Sequence, residues 1–421
     1  MTALPDSTAY RKFQHRILLL LFFAITINIL DRQVLSLVAP VLREELHLSN
    51  TQYGTIVFCF LLGMGVGQVP AGALIDRYGA RRGLAMLIVW WSTANLAHAF
   101  MRTVLQFGAM RFLLGIGECG NYSAGIKVIG QWFPPHRRAL AAGLFNGGSL
   151  IGAIIAPPLV TWLLLHYGWQ SAFLLPSAAG LLWLLPWLRT YWEPWRHPAL
   201  HGAVPPPPPQ TNADQPGAAA LLAMPAVWGV VLMRAFTGPV SHFYWYWLPE
   251  YLKHGRGMSL ETIGATAWMP FLAGAIGNIG GGWASGALMS RGWTAQNART
   301  ALISAATLGC LSAVLVPLSP TPAAALALIC IASLSINAFS ANHMGVIIDL
   351  FPQNVLARIA GMTGVGDNVI SMAAMLLTGV VVDRFSYTPV FIVVGCMPVL
   401  ALAAFLTLAR PKLGMARSAG L

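Results

Sequence analysis

Two arginine–carboxylate sets stand in parts of the chain that hold almost no other charge. Asp31 and Arg32 are neighbours inside the apolar run 15–41, and Arg111 and Glu118 lie seven residues apart inside the run 105–131. An arginine presents a planar fork that grips a carboxylate through two parallel hydrogen bonds. A buried carboxylate is pulled two ways: desolvation disfavours its charge and a nearby arginine favours it, so it can exchange a proton when its partner changes. Seven residues make two helical turns, which puts Arg111 and Glu118 on one face about 10 Å apart along the axis. Adjacent Asp31 and Arg32 point about 100° apart, so one can face a cavity while the other faces a packed neighbour. The available chemistry is anion binding linked to protonation. A charge at the centre of a membrane helix costs on the order of 2.5–3.5 kcal/mol, so a purposeless unpaired one is not expected. A permanent structural ion pair is the competing reading for both arginines.

Weaker candidates follow the same logic. Arg234, nine residues into the run 225–251, fits a second substrate cation, or a snorkelling arginine near a membrane surface. Tyr244, Tyr246, Trp247 and Trp268 could stack on the apolar face of a sugar, and they fit an interfacial aromatic belt equally well. Asn146, Ser149, Asn342, His343 and Asn368 are polar groups at membrane depth that suit a polyhydroxylated ligand, although a lone His343 is more often a packing residue. His98 and His242 receive no role. The five cysteines lie in apolar runs without metal-ligand or redox spacing, so they read as buried reduced thiols. With no nucleophile–base pair, metal cluster or cofactor motif, an enzyme is not expected.

The elements that must position these residues are membrane helices. Of 421 residues, 57% are hydrophobic and only 9% charged, too few charges to solvate a water-facing shell of that size. The mean hydropathy of +0.66 points the same way. A soluble enzyme, a nucleic-acid-binding module and a disordered chain are excluded. Spans of at least 18 residues fall near 15–41, 52–75, 83–101, 105–131, 139–165, 169–190, 225–251, 260–289, 299–317, 323–348, 358–382 and 388–409. The first has no small-residue cleavage site after it and reads as a retained helix. Sixteen of the 25 lysines and arginines fall on the side of the N-terminus, five on the other and four inside spans, which places both termini in the cytoplasm. The net charge of +12 therefore belongs to loops and does not imply nucleic acid. Between spans six and seven, five prolines at 205–209 and a polar stretch read as an exposed linker. The expected domains are an N-terminal six-helix bundle (1–192), a cytoplasmic linker (193–222) and a C-terminal six-helix bundle (223–421), a build shared with secondary transporters.

The loop between spans two and three, Gly72-Ala73-Leu74-Ile75-Asp76-Arg77-Tyr78-Gly79-Ala80-Arg81-Arg82, resembles the cytoplasmic signature of the major facilitator superfamily. That implies an all-α membrane protein of twelve helices, two bundles around a central cavity lined by spans 1, 4, 7 and 10. Gly72, Asp76, Arg77, Gly79, Arg81 and Arg82 would form a cytoplasmic gate, with Asp76 accepting bonds from a neighbouring helix or from Arg81 and Arg82. A weaker echo, Gly286-Ala287-Leu288-Met289-Ser290-Arg291, lacks the acidic residue.

Within the superfamily, Ile29 to Gln33, Arg111 to Glu118, Gln131 to Pro135, Phe243 to Leu252, Trp268 to Phe271 and Asn342-His343 resemble the anion:cation symporter family, and in it the hexuronate transporter group. The resemblance implies a proton-coupled importer of a sugar acid in a bacterial inner membrane, acting as a monomer. Arg32 would take the substrate carboxylate, Asp31 and Glu118 would couple protons, and Arg111 would be an ion-pair partner. Another carboxylate substrate, sodium coupling, or a sensor built on a transporter fold are the alternatives. Two positions depart from the family pattern, which commonly has Asp at the place of Gly238 and Gly at the place of Asp367. One acidic group is therefore expected to have moved between neighbouring helices, with Asp367 balancing Arg234.

Overall fold

The structure, a computed structural model, describes residues 8–196, 218–351 and 355–410, and these are helical almost throughout. The prolines at 205–209, Lys412 and Arg417 lie outside the described residues. In chain order the helices are α1 (Thr8–Leu46), α2 (Asn50–His98), α3 (Val104–Glu118), α4 (Gly120–Trp132), α5 (Pro135–Tyr167) and α6 (Trp169–Thr190). They are followed by α7 (Ala218–Leu222), α8 (Pro225–Glu250), α9 (Leu260–Thr266), α10 (Met269–Ser290), α11 (Ala295–Cys310), α12 (Ser312–Leu315), α13 (Pro322–Leu350), α14 (Leu356–Arg384) and α15 (Tyr387–Ala404).

Eight of the described helices are long and apolar enough to cross a membrane. Their outward faces carry large apolar side chains such as Val69, Leu182, Leu308 and Val365, all strongly exposed, as a surface solvated by lipid requires. The 49 residues of α2 would run about 73 Å if straight, more than twice the hydrocarbon thickness. Gly79 divides it: at φ 79° and ψ 164° it leaves the helical region in a conformation that a side chain would resist, so α2 holds both spans expected at 52–75 and 83–101. Three expected spans are segmented. The run 105–131 becomes α3 and α4, whose bond ladder lapses at Cys119 although that residue stays right-handed (φ −59°, ψ −28°). The run 260–289 breaks at Ala267 and Trp268, just before Pro270 withholds its N–H from the ladder. The run 299–317 breaks at Leu311.

Contacts divide the chain into two units, one of 1–48 and 56–210, the other of 49–55 and 211–421. In the first, α1 packs on α5 and α6. Gly148 and Gly152 allow the close approach: a Cβ at either would strike the α1 backbone at Phe22 or Thr26, and Thr26 Oγ1 donates to the Gly148 carbonyl at 3.0 Å. In the second, α8 packs on α14 and α15, and α10 on α13. Met233, Phe339, Val346, Ile359 and Phe405 form part of the buried apolar core that joins α8, α13, α14 and the residues after α15. The start of α2 belongs to this second unit, where the Asp383 carboxylate caps it. Asp383 accepts from Asn50 N (2.9 Å), Asn50 Nδ2 (2.8 Å), Thr51 N (2.7 Å) and Thr51 Oγ1 (2.6 Å), satisfying donors that a helix N-terminus leaves open.

Candidate functional site

In the first unit, α1 turns Asp31 and Arg32 to different surroundings. Asp31 is fully buried, and its Oδ1 accepts from Asn95 Nδ2 at 2.7 Å. The same amide donates to Ser177 Oγ of α6 at 3.1 Å, so α1, α2 and α6 meet at one polar junction. Arg32 keeps 19% of its side chain exposed and donates from Nε to Glu118 Oε2 at 2.7 Å, whereas Glu118 is 0% exposed. The other carboxylate oxygen, Glu118 Oε1, has no hydrogen-bond partner among the described residues. Arg111 is buried within electrostatic reach of both carboxylates. The guanidinium groups of Arg32 and Arg111 lie 5.9 and 5.7 Å from the centre of the Phe60 ring, within cation–π range. All four charged residues of the expected N-terminal site are thus brought together, with both guanidinium groups beside one aromatic ring.

The second unit holds its own charged cluster. Arg234, Gly238 and His242 follow at four-residue steps on one face of α8, opposite Asp367 and Ser371 one turn apart on α14. Arg234 Nη2 meets Asp367 Oδ2 at 2.6 Å, and Ser371 Oγ donates to Asp367 Oδ1 at 2.9 Å. His242 Nδ1 donates to the Gly238 carbonyl at 2.9 Å and stands 3.2 Å from Ser371 Oγ and 3.6 Å from Asp367 Oδ1. His343 of α13 is buried and bonds through Nε2 to the Val230 carbonyl of α8 at 2.9 Å.

Arginine–carboxylate pairs set in apolar helices point to anion handling, and the chain as a whole fits one family. The pattern of the Major Facilitator Superfamily matches residues 21–362. The chain belongs to that superfamily. It is 30% identical over 395 residues to the hexuronate transporter of Escherichia coli (strain K12), covering 91% of each chain. It is also 30% identical over 410 residues to the hexuronate transporter of Bacillus subtilis (strain 168), covering 94% of this chain and 95% of that one. Among solved structures, a D-xylose-proton symporter superposes with a TM-score of 0.74 at 16% identity, covering 95% and 98% of the two chains, which supports the fold alone. This facilitator is therefore a multi-pass membrane transport protein with an all-helical fold, and not an enzyme.

The other residues singled out in the facilitator's sequence are scattered. In the signature loop, Asp76 is paired with Lys127 Nζ of α4 at 2.6 Å, which is the neighbouring-helix option rather than Arg81 or Arg82. Arg81 lies over the Trp192 ring at 3.8 Å, donates to the Leu188 carbonyl, and its backbone N–H reaches Glu193 Oε1 at 3.4 Å, tying the loop to the end of α6. Arg77 stacks on Tyr78 (5.4 Å to the ring centre), Arg82 is exposed and Gly72 half-buried. Asn342 serves packing: its amide donates to Gly281 and Ala338 carbonyls, and its Oδ1 accepts from Arg299 Nη1 at 3.2 Å. That arginine also pairs with Asp349 at 3.2 Å and Ser285 at 2.8 Å, a network the sequence reading did not single out. Tyr244 and Trp247 are buried, Trp247 edge-on to Tyr53 at 5.0 Å, while Trp268, at the break between α9 and α10, donates to the Ala265 carbonyl of α9, 2.7 Å away. Asn146 is exposed on α5, and Ser149 and Asn368 are half-buried. His98 packs on Phe173 with ring centres 5.1 Å apart. Among the cysteines, Cys119 and Cys310 are buried as expected, but Cys59 and Cys330 are half-buried and Cys396 is exposed on an apolar helix, where lipid can cover it.

Three contributors were missed. Asn95 could have been found: Ser92, Asn95 and His98 recur every third residue in an otherwise apolar run, marking a polar stripe. His242 and Ser371 had no local signal, because their role depends on which face of α14 meets α8.

Proposed function

We propose that the protein imports an organic anion of the sugar-acid class, a hexuronate or a close relative, together with protons, by alternating access. It would do so as a monomer in a bacterial inner membrane with both termini cytoplasmic. The observation that carries this reading is the Arg32–Glu118 pair at 2.7 Å, in which the arginine is partly exposed and the carboxylate entirely buried. The names of the curated relatives, hexuronate transporters, support the substrate class.

The geometry supports a coupling of this kind. Glu118 occupies Arg32 through Nε, and a substrate carboxylate competes for the same fork. A glutamate that loses its cation in a low-dielectric site is stabilised by taking up a proton. Anion on Arg32 and proton on Glu118 therefore favour each other, and the coupling is reciprocal. Asp31, held by Asn95, is the second proton-handling carboxylate, and Arg111 supplies positive charge to both. The test is accumulation of labelled glucuronate by proteoliposomes under an imposed pH gradient, then under a sodium gradient. Accumulation driven by pH is expected. Accumulation driven by sodium alone would overturn proton coupling, and uptake of lactate or sialic acid without glucuronate would move the substrate class.

A further inference from the structure

The second unit contains a carboxylate that the coupling scheme above does not use. Asp367 is 9% exposed and sits at the end of a chain of polar atoms: His242 Nδ1, Ser371 Oγ at 3.2 Å, Asp367 Oδ1 at 2.9 Å, and Arg234 Nη2 on the other carboxylate oxygen at 2.6 Å. The donors have a defined order. His242 Nδ1 faces the Gly238 carbonyl at 2.9 Å, which can only accept, so Nδ1 carries a hydrogen and Nε2 is the atom left to take up a further proton. The one Nδ1 hydrogen is shared between the Gly238 carbonyl at 2.9 Å and Ser371 Oγ at 3.2 Å, and Ser371 donates its own hydrogen to Asp367. His242 is 21% exposed and Asp367 far less, so the imidazole is the outer end of the chain and the carboxylate the inner end. The remaining titratable group near the cluster, His343 on α13, has its Nε2 committed to the Val230 carbonyl. Gly238 leaves room for this arrangement, since a Cβ there would overlap the Asp367 carboxylate.

We infer that Asp367 is a further proton-binding site of the transporter, additional to the carboxylates of the first unit, loaded through His242 and Ser371 and opposed by Arg234. A proton arriving at His242 Nε2 displaces the Nδ1 hydrogen to Ser371 Oγ, whose own hydrogen passes to Asp367 Oδ1. One proton enters, one carboxylate is neutralised, and both relay groups end neutral. Protonated Asp367 no longer holds Arg234 as an ion pair, which frees that guanidinium for an anion. The inference rests on the proton-driven sugar-acid reading and adds one proton to each transport cycle.

The experiment reads the plateau of glucuronate accumulation in proteoliposomes, with the membrane potential clamped at zero and the outside one pH unit more acidic. Each coupled proton contributes about a factor of ten to that ratio. The parent should reach about 100-fold or more, and Asp367→Asn should fall about tenfold below it. His242→Gln should reach the parent's plateau more slowly, because it removes the route and not the store. The double variant Gly238→Asp with Asp367→Gly returns a carboxylate to the same space from the facing helix and should restore the parent's plateau. A parent plateau of about tenfold would overturn the inference, because the cycle would then carry only one proton and leave none for Asp367 beside the first unit. An unchanged plateau in Asp367→Asn overturns it as well. So does complete loss in Asp367→Asn that the double variant fails to repair, since Asp367 is then purely structural. No glucuronate accumulation by the parent would remove the sugar-acid reading and this inference with it.

Discussion

Gly238 lies directly beneath the carboxylate of Asp367, so close that any side chain at 238 would overlap it. The absence of a Cβ on α8 is thus what lets α14 present an acid to Arg234. Gly238→Ala should push Asp367 away from Arg234 and lower thermal stability in detergent, with an overpacking cost of about 1–3 kcal/mol. Combining it with Asp367→Gly removes the clash and should recover part of that loss. Equal melting temperatures for Gly238→Ala and the parent would mean that the helices separate easily at this point.

The Arg234–Asp367 contact makes a second, independent demand. Arg234→Gln and Asp367→Asn should each destabilise the protein, while the double variant should lose less than their sum, with a coupling energy of about 0.5–3 kcal/mol. Arg234 is 30% exposed, which favours the lower end of that range through solvent screening. Strictly additive losses in thermal unfolding would show that the two residues do not act as a pair.

Much of this was legible in the sequence for physical reasons. Charges are so costly within a membrane helix that Asp31, Arg32, Arg111 and Glu118 stood out before any geometry was known, and the two-turn spacing of Arg111 and Glu118 put them on one face. Hydropathy located the spans, but not their interruptions. The lapse at Cys119 follows Glu118 with no proline or positive φ to announce it, and the break before Pro270 is subtler than a loop. Partners distant in sequence were hidden for another reason. Asp383 reads as an ordinary charge at a helix end, and nothing local says that its carboxylate caps Asn50 and Thr51, more than 330 residues away. His242, an unremarkable histidine on α8, acquires its role only because Ser371 faces it.

Asn95 carries a prediction about the first unit. Its amide is the donor seen on Asp31 Oδ1, and Asp31 is wholly buried, so Asn95→Leu should leave that oxygen desolvated and unsatisfied. The expected cost is about 1–3 kcal/mol, read as a lower melting temperature. Ser177→Ala should cost less, because Ser177 accepts from the same amide while its hydroxyl hydrogen goes to the Phe173 carbonyl within its own helix. A larger loss in Ser177→Ala than in Asn95→Leu would make Ser177 the residue that matters at the junction.

Arg32→Lys tests whether shape or charge holds the substrate. Lysine keeps the positive charge but is a point donor that cannot present a fork to a carboxylate. It should lose most of the affinity for glucuronate, measured as a rise in the half-saturating concentration for uptake or a smaller ligand-induced rise in melting temperature. Undiminished affinity would move the carboxylate site away from Arg32, with Arg234 as the next cation to examine.

Glu118→Gln tests the coupling itself. Glutamine imitates the protonated acid: it is neutral and similar in shape, and it can still accept from Arg32 Nε at the place now held by Oε2. It cannot pick up a proton on one side of the membrane and release it on the other, so the link between anion and proton at this site is cut. Accumulation under a pH gradient should therefore suffer far more than counterflow, in which labelled substrate outside exchanges for unlabelled substrate inside without net proton movement. With the membrane potential clamped and a gradient of one pH unit, the loss of one coupled proton lowers the plateau by about tenfold. A variant that concentrates glucuronate as well as its parent would remove Glu118 from the coupling scheme and leave Asp31 as the carboxylate of the first unit that carries the proton.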